Sequence, residues 1–196
     1  MAKKIPEVLT VTEQEAIVAQ PNPRYLTGER NRIMLRLMLD TGLRLSEAIG
    51  LRWKDIDLNS GKVMVRQGKG AKDRTLWTGE ENLAALTKWR DRQAKECGGD
   101  HAVVFTTKEG GQLDPRYVQR MVKRYAAKAG IEKDVHPHTL RHSFATDLYR
   151  QTTNIRITQK ALGHARLATT EIYTHIVDEE LEGALKSFRQ PATAHA

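Results

Sequence analysis

The segment KVMVRQGKGAKDRTLW, residues 62–77, constrains the fold more than any other, because it breaks a chain that otherwise repeats its apolar residues at helical spacing. Val63 and Val65 alternate with polar neighbours, as in a half-buried strand; GKGAKD is a glycine-punctuated turn, and RTLW is a second short strand. Two strands this close in sequence pair as an antiparallel hairpin, and the lysines fall at its tip. A further short strand is expected in HAVVFTT, residues 101–107, with a strand entry in KDIDL before the hairpin.

The remainder reads as helices with identifiable ends. VTEQEAIVAQ forms a short helix after Thr10 or Thr12, where a hydroxyl can cap it and Glu13 or Glu15 meets the positive end of the dipole. PNPRYLTGE is a loop by its two prolines, and ERNRIMLRLMLDTG then places apolar residues at 33, 34, 37 and 38 before Gly42, which accepts a left-handed conformation. LRLSEAIGLRW is a short helix, and GEENLAALTKWRDRQAKEC a longer one with Leu83, Leu86 and Trp89 or Arg90 along one side. In LDPRYVQRMVKRYAAKAG, Asp114 is placed to cap, Pro115 suits the first helical position and Gly130 the end. Val118, Met121, Val122, Tyr125 and Ala129 form its buried stripe, leaving Arg116, Arg120, Lys123 and Arg124 outward. Helices near 138–150 and 155–162 follow, then a short one around Tyr173 and a last one in ELEGALKSFRQ. The fold class expected is α+β, mainly helical, with a small antiparallel β-sheet.

The 196 residues suffice for one good core, and 32 Lys plus Arg against 24 Asp plus Glu leave a formal charge of 32 − 24 = +8, which favours polyanionic partners. The cations concentrate in two places. Residues 62–74 carry Lys62, Arg66, Lys69, Lys72 and Arg74 against Asp73, and residues 116–130 carry five cations and no acid. Arg66, Lys72, Arg74, Arg116, Arg120, Lys123 and Arg124 are therefore candidates for contacts along a phosphate backbone. Cys97 is the sole cysteine, so no intrachain disulfide can form, which fits a reducing compartment. No apolar run approaches the roughly 20 residues that span a bilayer. The expected location is cytoplasmic and nucleoid-associated, in a prokaryote or phage.

The chemistry concentrates between residues 138 and 175, where histidines, arginines and a tyrosine stand among few carboxylates. On a helix, His138 and Arg141 are three apart and leave one surface, so they can converge on one group. A guanidinium forks onto two phosphate oxygens, and a phosphoryl-transfer site without metal needs more than one; Arg44 in TGLRLSE is the candidate partner. Tyr173 in TTEIYTH offers a phenol nucleophile, which at a pKa of about 10 needs a base and nearby positive charge. His138 can take its proton, with Arg44, Arg141 and His164 clamping the phosphate. Lys69 on the hairpin tip is a mobile acid for the leaving group.

TGLRLSE with Arg44, GKGAKDR with Lys69, HTLRHSFAT with His138 and Arg141, LGH with His164 and TTEIYTH with Tyr173 together resemble the catalytic domain of the tyrosine recombinases, the phage-integrase family. The resemblance spans roughly residues 8–188, with the five motifs in the family's order. It implies a site-specific recombinase that cleaves a DNA strand through a 3′-phosphotyrosine bond, frees a 5′-hydroxyl and rejoins the strand to a partner duplex, in integration, excision or inversion of a DNA element. Neither metal, cofactor nor ATP is implied. It further implies that Arg44 and Arg141 hold the scissile phosphate, Lys69 protonates the 5′-oxygen, His138 serves in acid–base transfer and His164 hydrogen-bonds the phosphate. Glu47 resembles a supporting carboxylate.

On this reading residues 1–190 form the catalytic domain and 191–196 a disordered tail, without the amino-terminal helical domain that most members place ahead of it. The chain is then either a minimal recombinase or a fragment of a longer one. Leu181, Ala184, Leu185 and Phe188 form an apolar stripe that either packs on its own domain or, as commonly in the family, docks on a neighbouring subunit. The expected partners are a double-stranded recombination site, a tetramer on DNA joined by carboxy-terminal helix exchange, and accessory DNA-bending proteins. The alternative function is a catalytically silent DNA-binding regulator of the same fold, against which the presence of Tyr173, both arginines and Lys69 argues. A metal nuclease, prompted by His136, His138 and His142, lacks the cysteines or convergent carboxylates it would need.

Overall fold

The computed structural model describes residues 7–66 and 73–163. Their elements run α1 (Val11–Ala19), α2 (Leu26–Thr41), α3 (Leu45–Gly50), a 3₁₀ turn (Trp53–Asp55), β1 (Lys62–Val65), β2 (Arg74–Trp77), α4 (Glu80–Glu96), α5 (Pro115–Lys128), α6 (Pro137–Thr152) and α7 (Ile155–Leu162). The helices expected near Tyr173 and in ELEGALKSFRQ, the tail and the hairpin tip lie outside the described residues.

The expected caps form. The Thr10 hydroxyl accepts the Glu13 amide at 3.2 Å while the Glu13 carboxylate accepts the Thr10 amide at 2.7 Å, a reciprocal box that fixes the start of α1. The Asp114 carboxylate accepts the Tyr117 amide at 2.9 Å ahead of Pro115. Gly42 ends α2 at φ 62°, and a β-carbon there would also meet the Phe144 ring at 2.3 Å.

α2 begins earlier than its prolines suggest. Residues 26–29, expected as loop, form its first turn, and Gly28 lies within that turn because a β-carbon would stand 1.9 Å from the Asn22 carbonyl oxygen. Here glycine permits close packing of the preceding loop rather than breaking the helix.

β1 and β2 pair antiparallel, Val63 opposite Leu76 and Val65 opposite Arg74. KDIDL contributes only the 3₁₀ turn and a single bridge from Ile56 to Val63. HAVVFTT also forms no strand. Val103 bridges Arg52 alone, and beyond that bridge the partner segment coils into the 3₁₀ turn, so no ladder can continue. Side chains take over instead: the Trp89 indole donates to the Val104 carbonyl at 2.7 Å, and the Gln93 amide donates to the carbonyls of Val103 and Val104 and to the Thr106 hydroxyl.

α2 packs against α4 and α6, and the core gathers Met34, Leu37 and Met38 with Leu86, Trp89, Phe105, Met121 and Leu140, all at most 1% exposed. Asn31 and Arg30 are also buried there, hydrogen-bonded to the Tyr117 hydroxyl at 3.1 and 2.6 Å, which satisfies their polar groups where water cannot reach.

Candidate active site

The site assembles where α2 ends, because Gly42 turns the chain so that Arg44 becomes the N-cap of α3 with extended backbone. Glu47, at the third position of α3, reaches back. Its Oε2 accepts the Arg44 amide at 2.7 Å and its Oε1 accepts Arg44 Nη1 at 2.8 Å. An acidic side chain in the first turn of a helix also complements the dipole.

Two further guanidiniums converge on the same carboxylate. From β2, Arg74 donates Nη1 to Glu47 Oε1 at 2.8 Å and Nη2 to Oε2 at 2.7 Å, a bidentate pair. From α6, Arg141 places Nη1 4.0 Å from Glu47 Oε2 while donating to the Gly42 carbonyl and, through Nη2, to the Leu162 carbonyl, both at 2.6 Å. Arg74 Nε donates to the adjacent carbonyl of Ala161 at 2.9 Å, so both arginines hold the last turn of α7. α7 then closes at Gly163, φ 64°.

Among the described residues three guanidiniums surround this one carboxylate, a formal +2 for these four groups. Glu47, Arg74 and Arg141 have side chains 8, 6 and 7% exposed, whereas Arg44 is 33% exposed and borders solvent. Burial pushes the Glu47 carboxyl up, but the hydrogen bonds from Arg74 and from the Arg44 backbone, with the charge of Arg74, outweigh it and hold the pKa at about 2. Glu47 therefore stays ionised, and the guanidiniums gathered on it lie in a low-dielectric setting suited to an oxyanion.

His138 stands in the first turn of α6, three residues before Arg141. Desolvation, then the neighbouring His136, Arg141 and Arg44, lower its pKa, which favours the neutral imidazole, the form able to accept a proton. His136 caps α6 through Nδ1, which accepts the Thr139 amide at 3.3 Å, and sits edge-on to His138 with ring centroids 6.1 Å apart. His142 is half-buried, with its pKa lowered by burial and then by His138 and Arg141. Among the described residues no group of His, Cys, Asp and Glu could hold a metal ion.

An open groove beside His138 is lined by Leu45, Arg120, Lys123, Asp134 and His136. Arg116, Arg120, Lys123 and Arg124 are all exposed on α5, and Lys123 pairs with Asp134 at 3.3 Å between two exposed side chains. Arg66 donates to Asp55 at 2.6 Å and keeps about half its side chain in solvent.

Arg74, expected among the outward cations of the hairpin, turns inward instead. The strand period carries the signal: Arg74 shares a face with Leu76, opposite Val65, and that face is buried. Composition points outward, alternation points inward, and the buried Glu47 decides between them. Lys69, Lys72, His164 and Tyr173 lie outside the described residues.

A buried arginine cluster that reaches solvent through Arg44, beside His138, has the chemistry to receive a phosphate on a helical domain. The phage integrase family matches residues 7–180, and the chain belongs to it. It is 44% identical over 174 residues to the tyrosine recombinase XerC of Xanthomonas axonopodis pv. citri, covering 89% of this chain and 55% of that protein. It is 40% identical over 198 residues to XerC 2 of Ralstonia nicotianae, covering 98 and 56%. The chain thus spans little more than half the length of these relatives. Its fold is similar to the XerA recombinase, TM-score 0.81 at 33% identity over 96% of this chain and 67% of that one. It is equally similar, at 30% identity over 95 and 54%, to the XerH site-specific recombinase bound to a palindromic difH substrate after cleavage. Among the described residues no helix is long and apolar enough to cross a membrane.

Proposed function

We propose that this chain is the catalytic domain of a site-specific DNA recombinase that breaks and rejoins strands through a phosphotyrosine. The observation that carries this is the Glu47-centred cluster, which brings Arg44 and Arg141 from separate helices to one carboxylate. The Tyr173 phenol attacks the scissile phosphorus as His138 takes its proton. The P–O bond to tyrosine forms and the P–O5′ bond breaks. Lys69 delivers a proton to the departing 5′-oxygen, and Arg44, Arg141 and His164 stabilise the non-bridging oxygens. Attack by the 5′-hydroxyl of a partner strand reverses the sequence, so the bond energy is conserved in the link and neither metal nor nucleotide enters the route.

The substrate is a double-stranded recombination site, by analogy with the difH substrate held by the XerH recombinase. Exchange between two duplexes calls for four protomers, with the carboxy-terminal stripe Leu181, Ala184, Leu185 and Phe188 as the exchanged surface and DNA-bending proteins as accessories. Residues 1–190 form the domain, and it works in the cytoplasm at the nucleoid.

The test is a nicked suicide duplex drawn from DNA flanking the gene, incubated with EDTA and analysed under denaturing conditions. A covalent protein–DNA adduct is expected with the wild type and none with Tyr173→Phe, which still binds DNA. Adduct from both proteins would reject Tyr173 as nucleophile; bound DNA with adduct from neither, across verified sites, would favour a silent regulator.

A further inference from the structure

Arg74 enters the site from a strand whose neighbours are surface cations, yet it makes the most complete contact with Glu47. Arg74 takes both carboxylate oxygens, Arg44 takes one with its side chain and the other with its amide, and Arg141 approaches to 4.0 Å. Arg74 also shares the end of α7 with Arg141, one holding Ala161 and the other Leu162.

Without Arg74, two guanidiniums would face one carboxylate and the formal charge of the cluster would fall from +2 to +1. Glu47 would then be free to close the 4.0 Å gap to Arg141 or to turn fully onto Arg44, drawing either one away from a ligand. With Arg74 in place, the negative charge of Glu47 is already matched by a residue too buried to leave it.

We propose that Arg74 is a positioning residue for the cleavage step: by gripping Glu47 with both terminal nitrogens and the end of α7 with its Nε, it sets the spacing of Arg44 and Arg141 around the scissile phosphate. This rests on the recombinase reading above. It excludes Arg74 from the DNA-contacting surface to which the basic hairpin would assign it.

The test compares the full chain with Arg74→Gln, Arg74→Lys, Glu47→Gln and the Arg74→Gln, Glu47→Gln double variant on the nicked duplex. Single-turnover adduct formation is read at saturating protein, together with the salt dependence of DNA affinity and the thermal midpoint of each protein. Arg74→Gln is expected to slow the bound-state step by about tenfold or more, with the slope of log K against log salt unchanged. Arg74→Lys keeps the charge but not the two-pronged grip, and should fall between; it supplies the same reading if Arg74→Gln does not fold. The double variant should be no slower than its slower parent, because both substitutions break one contact.

A slope reduced by about 0.9 with a normal bound-state rate would make Arg74 a phosphate contact and overturn the proposal. So would multiplied effects in the double variant, or wild-type rates in Arg74→Gln. Absence of adduct from the wild type itself would overturn the recombinase reading, and the proposal with it.

Discussion

Glu47 loses most of its hydration on folding and gains Arg44 and Arg74, and the pairing prevails: its pKa falls from 4.5 to about 2. A folded-state value below the unfolded one stabilises the native chain above about pH 4.5, and that contribution is lost as pH falls through about 2. At 1.36 kcal/mol per unit the full contribution is about 3 kcal/mol. Glu47→Gln should therefore unfold at lower urea concentration at neutral pH, and the gap to wild type should narrow between pH 4.5 and 2. A gap independent of pH would show that the ion pairs do not form. Arg44 and Arg141 separate differently. Arg44→Ala removes a partly exposed donor and should lower adduct formation by about 10² to 10³ with little change in urea midpoint. Arg141→Ala also strips the buried carbonyls of Gly42 and Leu162 of a donor, so it should lose about 1–3 kcal/mol of stability as well. Equal midpoints for the two variants would contradict this difference in burial. That Arg44, His138 and Arg141 gather in one place is legible in the sequence from spacing and chemistry, whereas Glu47 is pointed to only by the family resemblance. Arg74 is hidden there because the composition of the hairpin outweighs its strand alternation.

At the scale of elements, local signals mark helix ends wherever a side chain closes its own turn. Thr10 with Glu13, Asp114 with Pro115, and Gly42 are such cases, each completed within a few residues of sequence. Elements that depend on distant partners are not legible in this way. HAVVFTT has the composition of a strand, but the carbonyls of Val103 and Val104 go to Trp89 and Gln93, a pairing set by how α4 lies and not by the segment. The start of α2 is hidden for a related reason: Gly28 reads as a breaker in isolation and as a packing residue once Asn22 lies against it. Gly28→Ala tests that reading. Helix propensity alone would favour alanine by about 1 kcal/mol, whereas the 1.9 Å approach to a backbone oxygen forces the loop to move, at about 1–3 kcal/mol or more. Because the obstacle is backbone and cannot swing aside, the clash should win, and the thermal midpoint should fall by several degrees. A raised midpoint would show that the loop yields freely.

For the whole molecule, the formal +8 matters less than where its cations stand. Arg116, Arg120 and Lys123 recur at helical spacing on one exposed face of α5, and the last two border the groove that reaches His138. A duplex lying along that groove would bring its backbone past all three while a phosphate approaches Arg44. Among the described residues Lys123 is held back only by its exposed pair with Asp134, a contact worth about 0–1 kcal/mol and easily exchanged for a phosphate. Replacing all three with alanine leaves the buried stripe of Val118, Met121 and Val122 untouched and adds a good helix former, so the fold should survive. If each cation neutralises one phosphate, the slope of log K against log salt should become shallower by about 0.9 for each, or about 2.7 together. Over a fourfold rise in salt, from about 50 to about 200 mM, the wild type should then lose roughly 40-fold more affinity than the triple variant. Filter binding across that range measures it. An unchanged slope would place the DNA on another face, and the groove would then have no part in guiding a strand to the arginines.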